Sequence, residues 1–180
     1  MMPRLRRYII ISHRQRVILL LDSNIGEIEF ALGGVARNVA EDLSLFGIES
    51  SLLTAIGNDS FGRVVIDNAN EQGITLIEEP FKGEKTGVYA YIVNSDGQSV
   101  YGIDDMEITN RLSPEIIQKN INYLSFTDYV VFEANLPEET ILEICSHGFK
   151  LIADCVSTTK CTRLSKVLDK LYILKANKAE

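Results

Sequence analysis

Asn38 follows the pair Gly33-Gly34 by four residues, with Arg37 beside it. Two glycines at the start of a helix leave no Cβ between backbone and ligand, so a small molecule can approach closely. Helical side chains lean toward the N-terminus, which brings Asn38 back over the turn. Its amide can donate to and accept from hydroxyl groups. Arg37 adds a planar fork of donors nearby. The chemistry these residue types suit is the grip of a polyhydroxyl molecule. A Gly-Gly pair alone also marks any tight turn, but the full run GGVARNVAEDLSLFG is far more specific.

Three apolar runs further on end in polar residues. Glu133, Ala134 and Asn135 follow Phe132, and Asp154, Cys155, Val156 and Ser157 follow Ala153. Lys175, Ala176 and Asn177 follow Leu174, with Glu180 three residues beyond. Ligands of open parallel sheets bind beyond the carboxyl ends of the strands, so three polar strand ends point to one shared cleft. The same residue types cap helices, and for any single residue both readings stay open.

The elements that must position these groups follow from periodicity. Residues 27–32 alternate as a half-buried strand does. A helix is predicted from Val35, with Val35, Val39, Leu43 and Phe46 on one face and Gly47 as its stop. Residues 51–56 read as a strand. Asn58 or Asp59 then caps a helix reaching Gln72, with Phe61, Val65 and Ala69 facing inward. Residues 88–93 and 99–103 flank Asn94-Ser95-Asp96-Gly97, a hairpin loop by composition, and form with 27–32 a small separate sheet. Then come a helix capped by Ser113 with Pro114 first, a strand at 129–132, a helix opened by Pro137 and closed by Gly148, a strand at 151–153, a helix near 160–169 and a strand at 171–174. This alternation predicts an α/β fold with right-handed crossovers and a parallel sheet.

Composition narrows the function classes. The chain has 180 residues with 46% hydrophobic content, enough for one domain with a sizeable core. A net charge of -7 argues against nucleic acid as partner. Cys145, Cys155 and Cys161 form no CxxC pair and the only histidines are His13 and His147, which argues against a closed zinc site. Three scattered cysteines suggest a reducing, cytoplasmic compartment, with Cys145 packed as an apolar residue. The first 21 residues hold Arg4, Arg6, Arg7, Arg14 and Arg16 and no acid. Such a start resembles a mitochondrial transit peptide or a mis-assigned N-terminus. Its apolar runs are too short to cross a membrane.

The run around Gly33 is similar to the first signature of the ribokinase-like (PfkB) carbohydrate kinases, and its arginine to the pseudouridine kinase branch. Ser23-Asn24-Ile25-Gly26, Ala55-Ile56-Gly57-Asn58-Asp59-Ser60-Phe61-Gly62, Thr86-Gly87-Val88-Tyr89, Ile103-Asp104-Asp105-Met106 and Val156-Ser157-Thr158-Thr159-Lys160 resemble other runs of that family. The resemblance covers about 23–180, leaving 1–22 as an atypical segment. It implies a three-layer αβα kinase domain with a β lid at about 27–32 and 87–103. It implies transfer of the ATP γ-phosphoryl group to a sugar or nucleoside hydroxyl, here the 5′-hydroxyl of pseudouridine, and a homodimer paired through the lid. Gly33, Gly34, Arg37, Asn38, Asn135 and Lys160 would bind substrate. Asn177 and Glu180 match an NxxE motif near the nucleotide, with Glu180 toward Mg2+. A P-loop GxxxxGK[ST] is absent from the sequence.

Departures from the family pattern are as specific. Asp22 is not in the context of the family's sugar-gripping Asp, and Cys155 and Ala176 stand where prolines are expected. The family's GAGD turn, with its catalytic base, is not in this sequence. The expectation is a chain truncated before the C-terminal part, showing no turnover by itself. The alternative is a non-catalytic remnant that binds nucleoside or dimerises.

Overall fold

The computed structural model describes residues 9–13, 26–77 and 80–180. The arginines at 4, 6, 7, 14 and 16, Asp22 and the run 23–25 lie outside the described residues.

The lid is a four-stranded sheet of order β2-β1-β5-β6. It is built from β1 (Ile9–His13), β2 (Gly26–Glu29), β5 (Val88–Val93) and β6 (Ser99–Asp105). The apolar run at 9–11 thus enters the sheet as β1, antiparallel to β2 and parallel to β5. Hairpin β5–β6 turns at Asn94, whose Oδ1 accepts from the N–H groups of Asp96 and Gln98. This is the local bond that favours Asn in turns.

Helix α1 (Val35–Leu45) and α2 (Ser60–Glu71) pack with the short parallel pair β3 (Ser51–Leu52) and β4 (Thr75–Leu76). Ala40, Leu52, Ala69 and Ile74 form the core of this layer. Strand pairing is shorter than 51–56 and resumes only at the bridge Gly57–Phe81. Phe46 and Phe61 do not face inward: they are 78% and 44% exposed. The buried positions of α1 are Arg37 and Ala40, and those of α2 are Gly62, Asn68 and Ala69. Ala40 and Ala69 meet in the core of this layer, and Arg37 of α1 bonds Asn68 of α2. Phe61, in the first turn of α2, sits against Phe30 with ring centroids 6.2 Å apart.

The larger core belongs to the parallel sheet β7-β8-β9, comprising β7 (Val130–Glu133), β8 (Leu151–Asp154) and β9 (Leu171–Lys175). Helices α3 (Pro114–Lys119), α4 (Ile121–Leu124) and α5 (Glu138–Ile144) complete the chain order. Ile117, Phe132, Ile141, Leu151, Leu164 and Val167 are buried together, and Cys145 packs among them as an apolar residue. Thr140 is fully buried and donates to Leu112 O at 2.6 Å, so its hydroxyl carries no desolvation penalty. The helix expected at 160–169 is instead two 3-10 turns, Lys160–Leu164 and Leu168–Lys170. Thr162 Oγ1 and Cys161 Sγ donate back to the carbonyls of Thr159 and Thr158. Such local bonds compete with α-helical pairing.

Candidate functional site

The Gly33-Gly34 turn joins β2 to α1. Gly34 is the N-cap of α1 with φ 97° and ψ 121°, a conformation only glycine adopts without strain. Asn38 N–H donates to Gly34 O at 2.9 Å, closing the first helical turn over the glycine.

Arg37, expected among the substrate-binding residues, is engaged within the protein. It is buried, and its three nitrogens all bond within the protein. Nε donates to Gly33 O (3.1 Å), Nη1 to Asn68 Oδ1 (2.8 Å), and Nη2 to Asn38 Oδ1 (2.5 Å) and Glu41 Oε2 (3.3 Å). The reason is Asn68, buried on α2, whose carbonyl oxygen needs a donor and finds one in the guanidinium.

Facing this turn is a second set. Lys160 Nζ donates to Asn135 Oδ1 at 2.6 Å, and Asn135 Nδ2 donates to Glu133 Oε1 at 2.5 Å. The Glu133 carboxyl also lies beside the Ala36 N–H in the first turn of α1, where a negative charge is favoured. On its other side Lys160 pairs with Asp104 of β6 at 3.6 Å. One polar chain therefore runs from lid to α1 through Asp104, Lys160, Asn135 and Glu133. Burial pushes the Glu133 carboxyl above its ordinary range, and Asp154 adds to the rise, while Asn135, the Ala36 N–H and Lys160 pull it back. Its Oε2 is buried without a hydrogen-bond partner.

Two further devices hold the set in place: Arg163, which the sequence reading did not single out, and the backbone at Val156, whose conformation it did not foresee. Arg163 Nη1 donates to the carbonyls of Ala134, Asn135 and Leu136 at 3.0–3.1 Å, clamping the loop that carries Asn135. Val156 adopts φ 63°, an outlier for a β-branched residue. Ser157 N–H bonds back to Cys155 O at 2.6 Å across it, and Ser157 Oγ then accepts from Lys160 N–H at 3.2 Å. No pattern in the local sequence signals either feature.

The lid is rooted by Asp59. Its Oδ1 accepts from Gly62 N–H (2.8 Å) and Thr86 Oγ1 (2.6 Å), and its Oδ2 from Thr86 N–H (2.8 Å). Asp59 is thus the cap of α2 and ties it to the segment entering β5. A Cβ on Gly62 would stand 2.1 Å from Gly57 O, so that crossing requires glycine.

Gly33, Gly34, Arg37, Asn38, Asn135 and Lys160 line one cleft of about 2400 Å³. That is larger than the closed pocket of a typical small ligand, and it describes an open trough between lid and sheet ends. Asn177 and Glu180 are not among its lining residues. They close on each other beyond β9: Asn177 N–H donates to Glu180 Oε2 (2.8 Å), and Asn177 Oδ1 accepts from the N–H groups of Ala179 and Glu180. This is the reciprocal pattern of a capping box. Among the described residues no three His, Cys, Asp or Glu side chains cluster as a metal site, and no helix is long and apolar enough to cross a membrane.

The pfkB family carbohydrate kinase pattern matches residues 19–180. The chain is 30% identical over 162 residues to a pseudouridine kinase of Escherichia coli (strain K12), covering 88% of this chain and 52% of that protein. It is 27% identical over 125 residues to a guanosine-inosine kinase of Exiguobacterium acetylicum, covering 69% and 41%. Among solved structures, a carbohydrate kinase from Agrobacterium tumefaciens superposes with a TM-score of 0.83 at 26% identity, over 97% of this chain and 59% of that one. The chain spans about half the length of the curated relatives it matches.

Proposed function

The chain belongs to the pfkB family of carbohydrate kinases, and we propose that its cleft is the acceptor site for ATP-dependent phosphorylation of a sugar or nucleoside hydroxyl. Pseudouridine, through its 5′-hydroxyl, is the substrate favoured by the likeness to the Escherichia coli pseudouridine kinase. The observation that carries this reading is the meeting of the Gly33–Asn38 turn with the Asn135–Lys160 pair across one trough. Gly33, Gly34 and Asn38 would hold ribose hydroxyls, and Asn135 and Lys160 the far side of the ligand.

When bound, ATP with Mg2+ supplies the phosphoryl group. Glu180 is the residue proposed toward the metal and Asn177 the residue toward the nucleotide. Of the Glu180 side-chain carboxylate, Oε2 accepts from Asn177 N–H and Oε1 has no partner among the described residues. One carboxylate beside phosphate oxygens and water suits magnesium, which dehydrates reluctantly. Lys160, at the strand ends, contributes the positive charge that phosphoryl transfer requires. The lid exposes Ile28, Phe30 and Ile103, which supports pairing of two copies through that sheet.

A second reading, binding without turnover, rests on a different observation. A general base must reach the hydroxyl proton, and three carboxylates near the cleft, Asp154, Asp104 and Glu133, are engaged elsewhere. Asp154 accepts from Val156 N–H and pairs with Lys175, Asp104 pairs with Lys160, and Glu133 is bound by Asn135. Incubation of the chain with ATP, Mg2+ and either pseudouridine, uridine or ribose separates the readings. Phosphorylation of pseudouridine ahead of ribose supports the first. Saturable binding without product supports the second, and neither binding nor product overturns both.

A further inference from the structure

We infer that Arg37 is a positioning residue that fixes the polarity of the turn, so that the turn presents hydrogen-bond donors to the cleft and selects ligand oxygens able to accept. The inference rests on the cleft being the acceptor site described above. A guanidinium only donates. The Asn38 atom that meets Arg37 Nη2 at 2.5 Å must therefore be the carbonyl oxygen. That leaves Nδ2, which has no acceptor among the described residues, as the atom Asn38 offers to the cleft it lines.

The same guanidinium sets the glycine turn. Arg37 Nε holds Gly33 O at 3.1 Å. There is no cis peptide among the described residues, and in a trans peptide the N–H points opposite the carbonyl. Gly34 N–H is consequently directed away from Arg37. Two donors, Gly34 N–H and Asn38 Nδ2, are oriented by one side chain whose nitrogens are all engaged within the protein.

The clamp is anchored outside the turn. Nη1 reaches Asn68 Oδ1 on α2 at 2.8 Å, and Nη2 also pairs with Glu41 one helical turn on. Both anchors hold the guanidinium plane in position, which a lysine cannot reproduce with its single ammonium. The ligand group this arrangement takes is a hydroxyl pair in which both oxygens accept. A ligand offering only donors at that place is rejected, because two N–H groups would face N–H groups.

The test uses the 15N-labelled 180-residue chain, pseudouridine and ribose. In the ligand-free protein the Asn38 side-chain amide is expected to be as rigid as the backbone by heteronuclear relaxation, and to loosen in Arg37→Met and Arg37→Lys. Pseudouridine affinity is expected to fall at least tenfold in both variants. Asn38→Asp keeps the oxygen that Arg37 holds but removes the donors, so it is expected to melt no lower than the parent chain while losing affinity as fully as Asn38→Ala. An Asn38 amide equally rigid with and without Arg37, or an Asn38→Asp chain that binds like the parent, overturns the inference. If the amide loosens but no form binds either compound, the acceptor-site reading falls and the positioning role stands.

Discussion

Lys160 donates its ammonium proton to Asn135 Oδ1 at 2.6 Å, which ties the loop after β8 to the loop after β7 directly over the cleft. Lys160→Met and Asn135→Ala each remove this link. Each of the two side chains is also proposed to bond the nucleoside, and a hydrogen bond to a charged group contributes about 1.5–3 kcal/mol. Nucleoside affinity is therefore expected to drop about 10- to 100-fold. Lys160 is half-buried and its pair with Asp104 is partly exposed, so stability should change by less than about 1 kcal/mol. Titration calorimetry with pseudouridine beside a melting curve checks both. A loss of stability with unchanged affinity would make the link structural only.

Glu133 predicts a pH effect of one sign. Burial raises its folded-state pKa above the ordinary carboxylate value of 4.5. Between that value and the raised one, the folded state holds a proton that the unfolded state has released. Stability from this group therefore falls as pH rises through the window and is recovered on acidification. Glu133→Gln should lose that slope and be more stable than the parent chain at pH 8. Urea unfolding at several pH values measures it, and an unchanged slope in the variant argues against the assignment.

Asp59 predicts the opposite sign. Burial alone would raise its pKa, but hydrogen bonds from the Thr86 hydroxyl and from the Gly62, Thr86 and Phe61 N–H groups lower it below 3.8. Its contribution is complete above 3.8 and is lost as pH falls through the lowered value. Asp59→Asn turns an amide N–H2 toward a donor. It should cost about 1–3 kcal/mol at neutral pH and flatten the acid limb. Melting temperature at pH 7 and pH 3 tests this, and a variant that melts with the parent at both would refute it.

Val156 stores strain in the turn that leads to Lys160. Strained backbone of this kind costs about 1–3 kcal/mol, against about 0.5–1 kcal/mol for the added freedom of glycine. Val156→Gly should thus leave the melting temperature unchanged or raised, while Val131→Gly in β7 lowers it. Nucleoside affinity should weaken in Val156→Gly, because Ser157 and Lys160 lose a fixed approach. Equal destabilisation by the two substitutions would show that Val156 is not strained in solution.

What was legible in the sequence follows physical range. Glycines, an amide and a helix pattern share one short segment at 33–45, so the turn and α1 could be read locally. The cap of α2, narrowed to Asn58 or Asp59 and found at Asp59, and the Asn94 hairpin rest on bonds within four residues and were equally readable. The direction of Arg37 was not, since its anchor Asn68 lies 31 residues away. Nor was the chain from Asp104 to Glu133, which draws on three loops or strands. At 160–169 the alternation of strands and helices suggested a helix, but hydroxyl and thiol side chains bonding back to the chain gave 3-10 turns. Phe46 and Phe61 fitted an inward stripe by spacing alone, while the positions buried on α1 and α2 are Arg37, Ala40, Gly62, Asn68 and Ala69.

The central claim is that the Gly33–Asn38 turn and the Asn135–Lys160 pair grip one nucleoside. Titration of pseudouridine into the 15N-labelled chain, followed by chemical-shift mapping, tests it most directly. The account predicts saturable shifts at the Gly33 and Gly34 amides, the Asn38 and Asn135 side-chain amides and the Lys160 amide, all with one dissociation constant. Shifts confined to other residues, or none at saturating nucleoside, would contradict it.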